Sequence, residues 1–147
     1  MQFRKILCSV DFSPGSTEAL HLTGKLCDPT TEVVLIHVWK PYPYSYGAES
    51  SLTLDILTDI QRGAERELGT TKHDAERLGV RRIETLFRVG APWREIVRAL
   101  VEDPAIELAI VGTHGRTGIS HALLGSVAEK VVRHAPCPVL VARNRPT

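Results

Sequence analysis

No run of apolar residues in this chain is long enough to cross a bilayer. The opening Met1-Gln2-Phe3-Arg4-Lys5-Ile6-Leu7-Cys8-Ser9-Val10-Asp11 places basic residues before an apolar stretch, but the stretch stops at Asp11, too short for a secretion signal. The cytoplasm is therefore the expected location, with no membrane partner. Charge of one sign is also missing. Eighteen Lys and Arg stand against seventeen Asp and Glu, a formal +1, so there is no general electrostatic footprint for nucleic acid, and any phosphate binding has to be local. Cysteine is scarce: Cys8, Cys27 and Cys137 are odd in number and show no CxxC spacing, which excludes a disulfide scaffold and points to buried, reduced thiols. His121, His134 and Cys137 lack the spacing of a zinc site.

Several chemical signatures are absent as well. There is no Gly-x4-Gly-Lys-Ser/Thr run, no Gly-x-Gly-x2-Gly dinucleotide fingerprint and no Gly-x-Ser-x-Gly elbow. The Ser-Gly-Gly-x-Asp-Ser type of pyrophosphate loop is missing too. What is present is a chain of 147 residues with 43% hydrophobic content, enough for one domain over residues 1–147 with a substantial core and too little for two.

Strand-like and helix-like segments alternate. Lys5 to Val10 reads as a buried strand, and Ser13-Pro14 supplies an N-cap followed by proline at the first helical position, with Ala19, Leu22, Thr23 and Leu26 at helical spacing. Val33 to Trp39 is a second, β-branched strand. Lys40 to Ser50 reads as an ordered surface loop. A long helix follows, with Leu57, Ile60, Ala64, Leu68, Thr71, Ala75 and Leu78 on one face, Gly79 past its end, and Gly63 and Gly69 weakening it locally. Arg82 to Val89 alternates as an edge strand does, and Pro92 opens a helix with Ile96, Val97, Leu100 and Val101 inward. Ile106 to Val111 is a strand, Val127 to Ala135 a helix, and Cys137 to Ala142 a closing strand. Five strands alternating with four helices imply an α/β, doubly wound parallel sheet with helices on both faces, whose ligands bind at the carboxyl ends of the strands.

One spacing points to a ligand. Val111-Gly112-Thr113-His114-Gly115 is followed, after nine intervening residues, by Gly125-Ser126-Val127. Glycines on a strand-to-helix loop let main-chain N–H groups approach a polyanion, and the following helix adds unpaired donors and the positive end of its dipole. Ser126-Val127-Ala128-Glu129 also matches a capping box, which would make Ser126 the N-cap of that helix.

The pattern Gly-x2-Gly-x9-Gly-Ser, with strands ending in Ser9-Val10-Asp11 and Ile36-His37-Val38 and a terminal Ala135-Pro136-Cys137-Pro138-Val139-Leu140-Val141, resembles the ATP-binding subgroup of the universal stress protein family over the whole chain. The resemblance implies the strand order 3-2-1-4-5, which sets Asp11 and Gly112 at one crevice between strands 1 and 4. It implies ATP as ligand, with phosphates on the loop around Val111, Gly112, Gly115 and Gly125 and at Ser126 and Val127. Asp11 would meet ribose hydroxyls or hold Mg²⁺, a cation that uses one or two carboxylates plus phosphate oxygens and water. Ser9 and Val10 would line the adenine and ribose pocket, and the Val38 backbone would meet adenine. Arg116 and His114 offer further phosphate contacts, against the plainer reading of exposed loop residues.

Three functions stay open on these residues. The first is a nucleotide-dependent stress or signalling module in which ATP orders the segment from Arg116 to Leu124 and biases protein partners. The second is a slow ATPase or adenylate-releasing hydrolase, weak because no residue besides His114 or Asp11 presents itself to position an attacking water. The third is a constitutive dimeric interaction protein without nucleotide. The apolar run Val139-Leu140-Val141, on what the family order makes an edge strand, predicts a homodimer through that strand.

Overall fold

The computed structural model describes residues 2–41, 54–113 and 124–143. In chain order it contains β1 (Lys5–Ser9), α1 (Pro14–Leu26), β2 (Glu32–Trp39), α2 (Leu54–Arg77), β3 (Arg82–Val89), α3 (Pro92–Glu102), β4 (Leu108–Gly112), α4 (Ser126–His134) and β5 (Val139–Ala142). All five strands are parallel and lie in the order β3-β2-β1-β4-β5, as the alternation and the resemblance together predict. Arg82–Val89 is indeed an edge.

Two apolar layers cover the sheet because successive strand residues point to opposite faces. Ile6 and Cys8 of β1, with Val10 just past its end, meet Ala19 and Leu20 of α1 and Leu68 and Ala75 of α2. Leu7, together with Ile36 and Ala109 on the neighbouring strands, meets Ile96 and Leu100 of α3 and Ala128 and Val131 of α4. The three inner strands, β1, β2 and β4, bury most of their residues and leave none fully exposed, which is why they read as continuous apolar runs.

Helix ends follow local chemistry. Ser13 caps α1 in an extended conformation, accepting from Ser16 N–H at 3.4 Å, with Pro14 next. Gly79 (φ +97°) ends α2, and the chain closes with Val80 N–H donating to Ala75 C=O at 3.1 Å, the six-to-one bond of a Schellman turn. The 24-residue α2 runs unbroken through Gly63 and Gly69, held by the buried Ala64, Leu68 and Ala75.

Three strand starts shift from expectation, the second strand beginning one residue early at Glu32, whose N–H already donates to Arg4 C=O. Ile106 N–H donates to Asp103 C=O in a turn, and pairing with β1 begins only at Glu107, which donates to Lys5 C=O, so the fourth strand starts at Leu108. Pro138 lacks an N–H, so β5 starts one residue later, although the Pro138 carbonyl already accepts from Ala109. Cys8 is buried as expected, whereas Cys27 and Cys137 are only half-buried because they lie outside the strands and helices that close the core. The segment expected as an ordered surface loop after Trp39 lies, from residue 42 onward, outside the described residues.

Ion pairs concentrate at the amino ends of the strands. Lys5 Nζ lies 2.7 Å from Asp103, raising the lysine pKa and lowering that of the aspartate, and Arg4 pairs with Glu107, whose pKa falls as it accepts from the Arg4 backbone and guanidinium. These groups hold the end of the sheet away from the glycine loop.

Candidate functional site

At the carboxyl ends of β1 and β4 the sequence brings two helix N-termini together. Gly112 ends β4 against the first turn of α1 so closely that a Cβ there would sit 2.9 Å from both the carbonyl carbon and oxygen of Gly15. Its glycine identity is thus required by packing, whatever ligand it meets. One residue on, Thr113 is buried and pinned twice: its N–H donates to Ala142 C=O at 3.0 Å, and its C=O accepts from Gly125 N–H at 2.7 Å. That second bond closes the base of the loop and sets the start of α4 beside the end of β4.

The cap of α4 differs from the expectation of a capping box. Gly125, in extended conformation (φ −61°, ψ 155°), is the N-cap, and no side chain caps the helix. Ser126 is therefore the first helical residue. Glu129 is one position too far along to return a bond to the cap and pairs with Arg133 instead. The bond from Gly125 to Thr113 fixes this register. Its effect on the site is to leave the N–H groups of Ser126, Val127 and Ala128 without a carbonyl acceptor among the described residues, three orphan donors at the positive end of the helix dipole.

Asp11 stands across the crevice on the segment between β1 and α1. Its Oδ1 accepts from Ser13 N–H at 3.0 Å and from the Ser13 hydroxyl, whose oxygen accepts in turn from Ser16 N–H. The carboxylate thus buttresses the start of α1 while remaining partly exposed. A single, partly exposed carboxylate suits Mg²⁺ that keeps phosphate oxygens and water as its other ligands. Among the described residues no cluster of three His, Cys, Asp or Glu side chains forms, so a metal cage made wholly of protein is not found there.

The other predicted residues divide by sheet face. Alternation puts Ser9 on the same face as Leu7, and the register pairs it with Ile36 of β2, one residue past the last β1–β4 pair, Cys8 with Ile110. Val38, Val111 and Val127 pack in the α3/α4 layer on that same face. Val10 points the other way, into the α1/α2 layer, and only 3% of it is exposed. His114, Gly115 and Arg116, with Gly118 and the segment up to His121, lie outside the described residues.

Sequence reasoning gave no role to two residues that organise this end of the sheet. His37, 9% exposed, donates from Nδ1 to Val10 C=O at 2.8 Å and packs on Phe12 at a tilt, with ring centroids 4.5 Å apart. Phe12 has φ +64°, the only left-handed non-glycine among the described residues. A lone histidine inside the apolar run Val33 to Trp39 was the available signal for the first; nothing in the sequence marks the second.

Behind Phe12, on the α1/α2 face, lies a half-open cavity of about 270 Å³ that reaches Leu20, His21, Asp74 and Arg77. Burial pushes the Cys8 thiol up to about 12, which makes it a core residue and no nucleophile.

The universal stress protein family model matches residues 2–143. Universal stress protein MJ0531 of Methanocaldococcus jannaschii is 34% identical over 97% of this chain and 83% of its own length. Universal stress protein MJ0577 of the same organism is 28% identical, and its solved structure superposes with a TM-score of 0.85 over the full length of both chains. A universal stress protein solved in complex with cAMP shares the fold at 22% identity, with a TM-score of 0.72 over 97% of this chain and 98% of that one.

Proposed function

The chain belongs to the universal stress protein family, and from that premise we propose that it binds ATP with Mg²⁺ at the carboxyl ends of β1 and β4, as a cytoplasmic, nucleotide-dependent stress or signalling module. The observation that carries this reading is the convergence of two helix starts: α1, drawn in by the contact between Gly112 and Gly15, and α4, held by the bond from Gly125 to Thr113. The N–H groups at the start of α4, without a carbonyl acceptor among the described residues, are suited to phosphate oxygens. Gly125 has dihedrals that any residue adopts, so its missing side chain serves approach rather than backbone conformation. Asp11 would hold Mg²⁺ or the ribose hydroxyls. Val38 and Val127, partly buried against Val111 in the α3/α4 layer, would offer apolar surface to a purine at this end of the sheet. The adenine nucleotide in the cAMP-bound relative is consistent with this ligand class.

Nucleotide occupancy would act by favouring one partner-binding state over another, with hydrolysis slow or absent. We place the homodimer contact at β5, an edge strand whose side chains already pack on both faces and whose outer main-chain groups remain to be paired. The test is Gly125→Val. Calorimetry should show ATP affinity lost in a variant that still folds, its urea midpoint lowered only by the poorer N-cap, about 1 kcal/mol, because no left-handed conformation is demanded there. Undiminished ATP affinity in the folded variant would refute the phosphate assignment.

A further inference from the structure

Hydrogen bonds between β1 and β2 run as a regular parallel ladder until Val10, whose N–H donates to Ile36 C=O at 2.9 Å. The next rung of that ladder would join Val38 N–H to Val10 C=O. The carbonyl instead takes the His37 imidazole at 2.8 Å, and the Val38 rung is not formed. At the same point the chain leaves the sheet through Asp11 and the left-handed Phe12, a conformation that is unfavourable for a bulky residue and persists only where neighbours enforce it. The neighbour is the same histidine: its ring lies on Phe12 at 4.5 Å and is backed by Phe87 at 6.2 Å.

We propose that His37 is the positioning residue of the nucleotide site: by capturing Val10 C=O and holding the Phe12 ring, it ends the β1–β2 ladder one rung early, which leaves Val38 N–H to an adenine edge and sets the turn that aims Asp11 at the crevice. The inference rests on the nucleotide-binding reading above and assigns a cause to its geometry. Because a carbonyl only accepts, the bond fixes the proton on Nδ1. The imidazole acts through Val10 and Phe12, two residues of the other sheet face, so the site on one face is braced from the layer behind it.

This makes a specific demand on substitutions. His37→Leu keeps the apolar volume but frees Val10 C=O and removes the ring from Phe12. His37→Asn retains an amide donor for Val10. Phe12→Gly removes the need for a brace, because glycine adopts φ near +64° at little cost. Calorimetry with Mg·ATP should show His37→Leu weakened about tenfold or more, the factor set by losing one buried hydrogen bond. His37→Asn should stay within about threefold of the parent. His37→Leu/Phe12→Gly should recover most of the lost affinity, although its urea midpoint stays low. A purely structural histidine would give the opposite pattern, with affinity following stability and no recovery from Phe12→Gly. Amide hydrogen exchange without nucleotide supplies an independent arm: His37→Leu should speed exchange at Phe12 and Ser13, and the double variant should slow it at Ser13. Failure of the parent protein to bind ATP would overturn the functional reading alone, while unchanged exchange in His37→Leu would overturn the role of His37 whatever the ligand.

Discussion

Gly112→Ala should destabilise the protein in the absence of any ligand. The added Cβ would stand 2.9 Å from the Gly15 carbonyl, and ordinary contact begins near 3.4 Å, so α1 must retreat by about half an ångström or β4 must bend. Neither gives way easily. The helix is anchored by Ala19, Leu20 and Thr23, all buried, and β4 is paired on both sides. Overpacking of this kind costs about 1–3 kcal/mol, and stiffening of the unfolded chain by the extra methyl returns about 0.4–1 kcal/mol. The net loss is about 1–2 kcal/mol, or about 2–8 °C in Tm for a chain of this size. Gly63→Ala is the matched control: its Cβ meets nothing within 4 Å in α2, so the same chemical change should stabilise by about 0.4–1 kcal/mol. Urea unfolding of both variants measures the difference. An unchanged or raised midpoint for Gly112→Ala would refute the close-packing argument and leave Gly112 with a ligand role alone.

Ser13→Ala should cost about 0.5–2 kcal/mol, because it removes both the α1 cap and a partner of Asp11, whereas Ser126→Ala should change stability by less than about 0.5 kcal/mol because Gly125 is the cap; denaturant midpoints compare the two. Cys8 holds its proton to about pH 12 when folded and to about 9 when unfolded, so its stabilising contribution is complete below pH 9 and is lost as pH rises from 9 toward 12. Within that window the parent protein should lose up to about 1.4 kcal/mol per pH unit more than Cys8→Ala, read from urea curves in stepped buffers. For the dimer, the Pro138 and Ala142 carbonyls both face β4, so the period of two turns Leu140 N–H inward as well and leaves Val139 and Val141 to the outer edge. Val141→Pro should therefore abolish dimerisation in light scattering without unfolding the protein, while Leu140→Pro should break the sheet itself.

The fold was legible because each element carries its own period. Continuous apolar runs gave the three inner strands, alternation gave the edge strand Arg82–Val89, and Ser13-Pro14 and Gly79 punctuated two helices. The end of β4 at Gly112 and the start of α4 near Ser126 were legible from spacing alone. The register of that helix start was not: Gly125 and Ser126 are both good N-caps, and the choice is made by a bond to Thr113, twelve residues earlier. The close approach of Gly112 to Gly15 joins residues 97 apart in sequence, and the left-handed Phe12 is imposed by a histidine on the next strand. Such features are tertiary decisions, and local propensity does not encode them.

The central claim is that an adenine nucleotide sits on the Ser9, Val38 and Gly125 side of the sheet, across the ends of β1 and β4. Titration of Mg·ATP into the ¹⁵N-labelled protein, followed by amide chemical shifts, tests it most directly. The largest shifts should fall on Ser9, Asp11, Val38, Gly112, Thr113 and the Gly125 to Ala128 turn, with His21, Asp74 and Arg77 around the cavity behind Phe12 little changed. An unperturbed spectrum, or shifts gathered around that cavity instead, would contradict it.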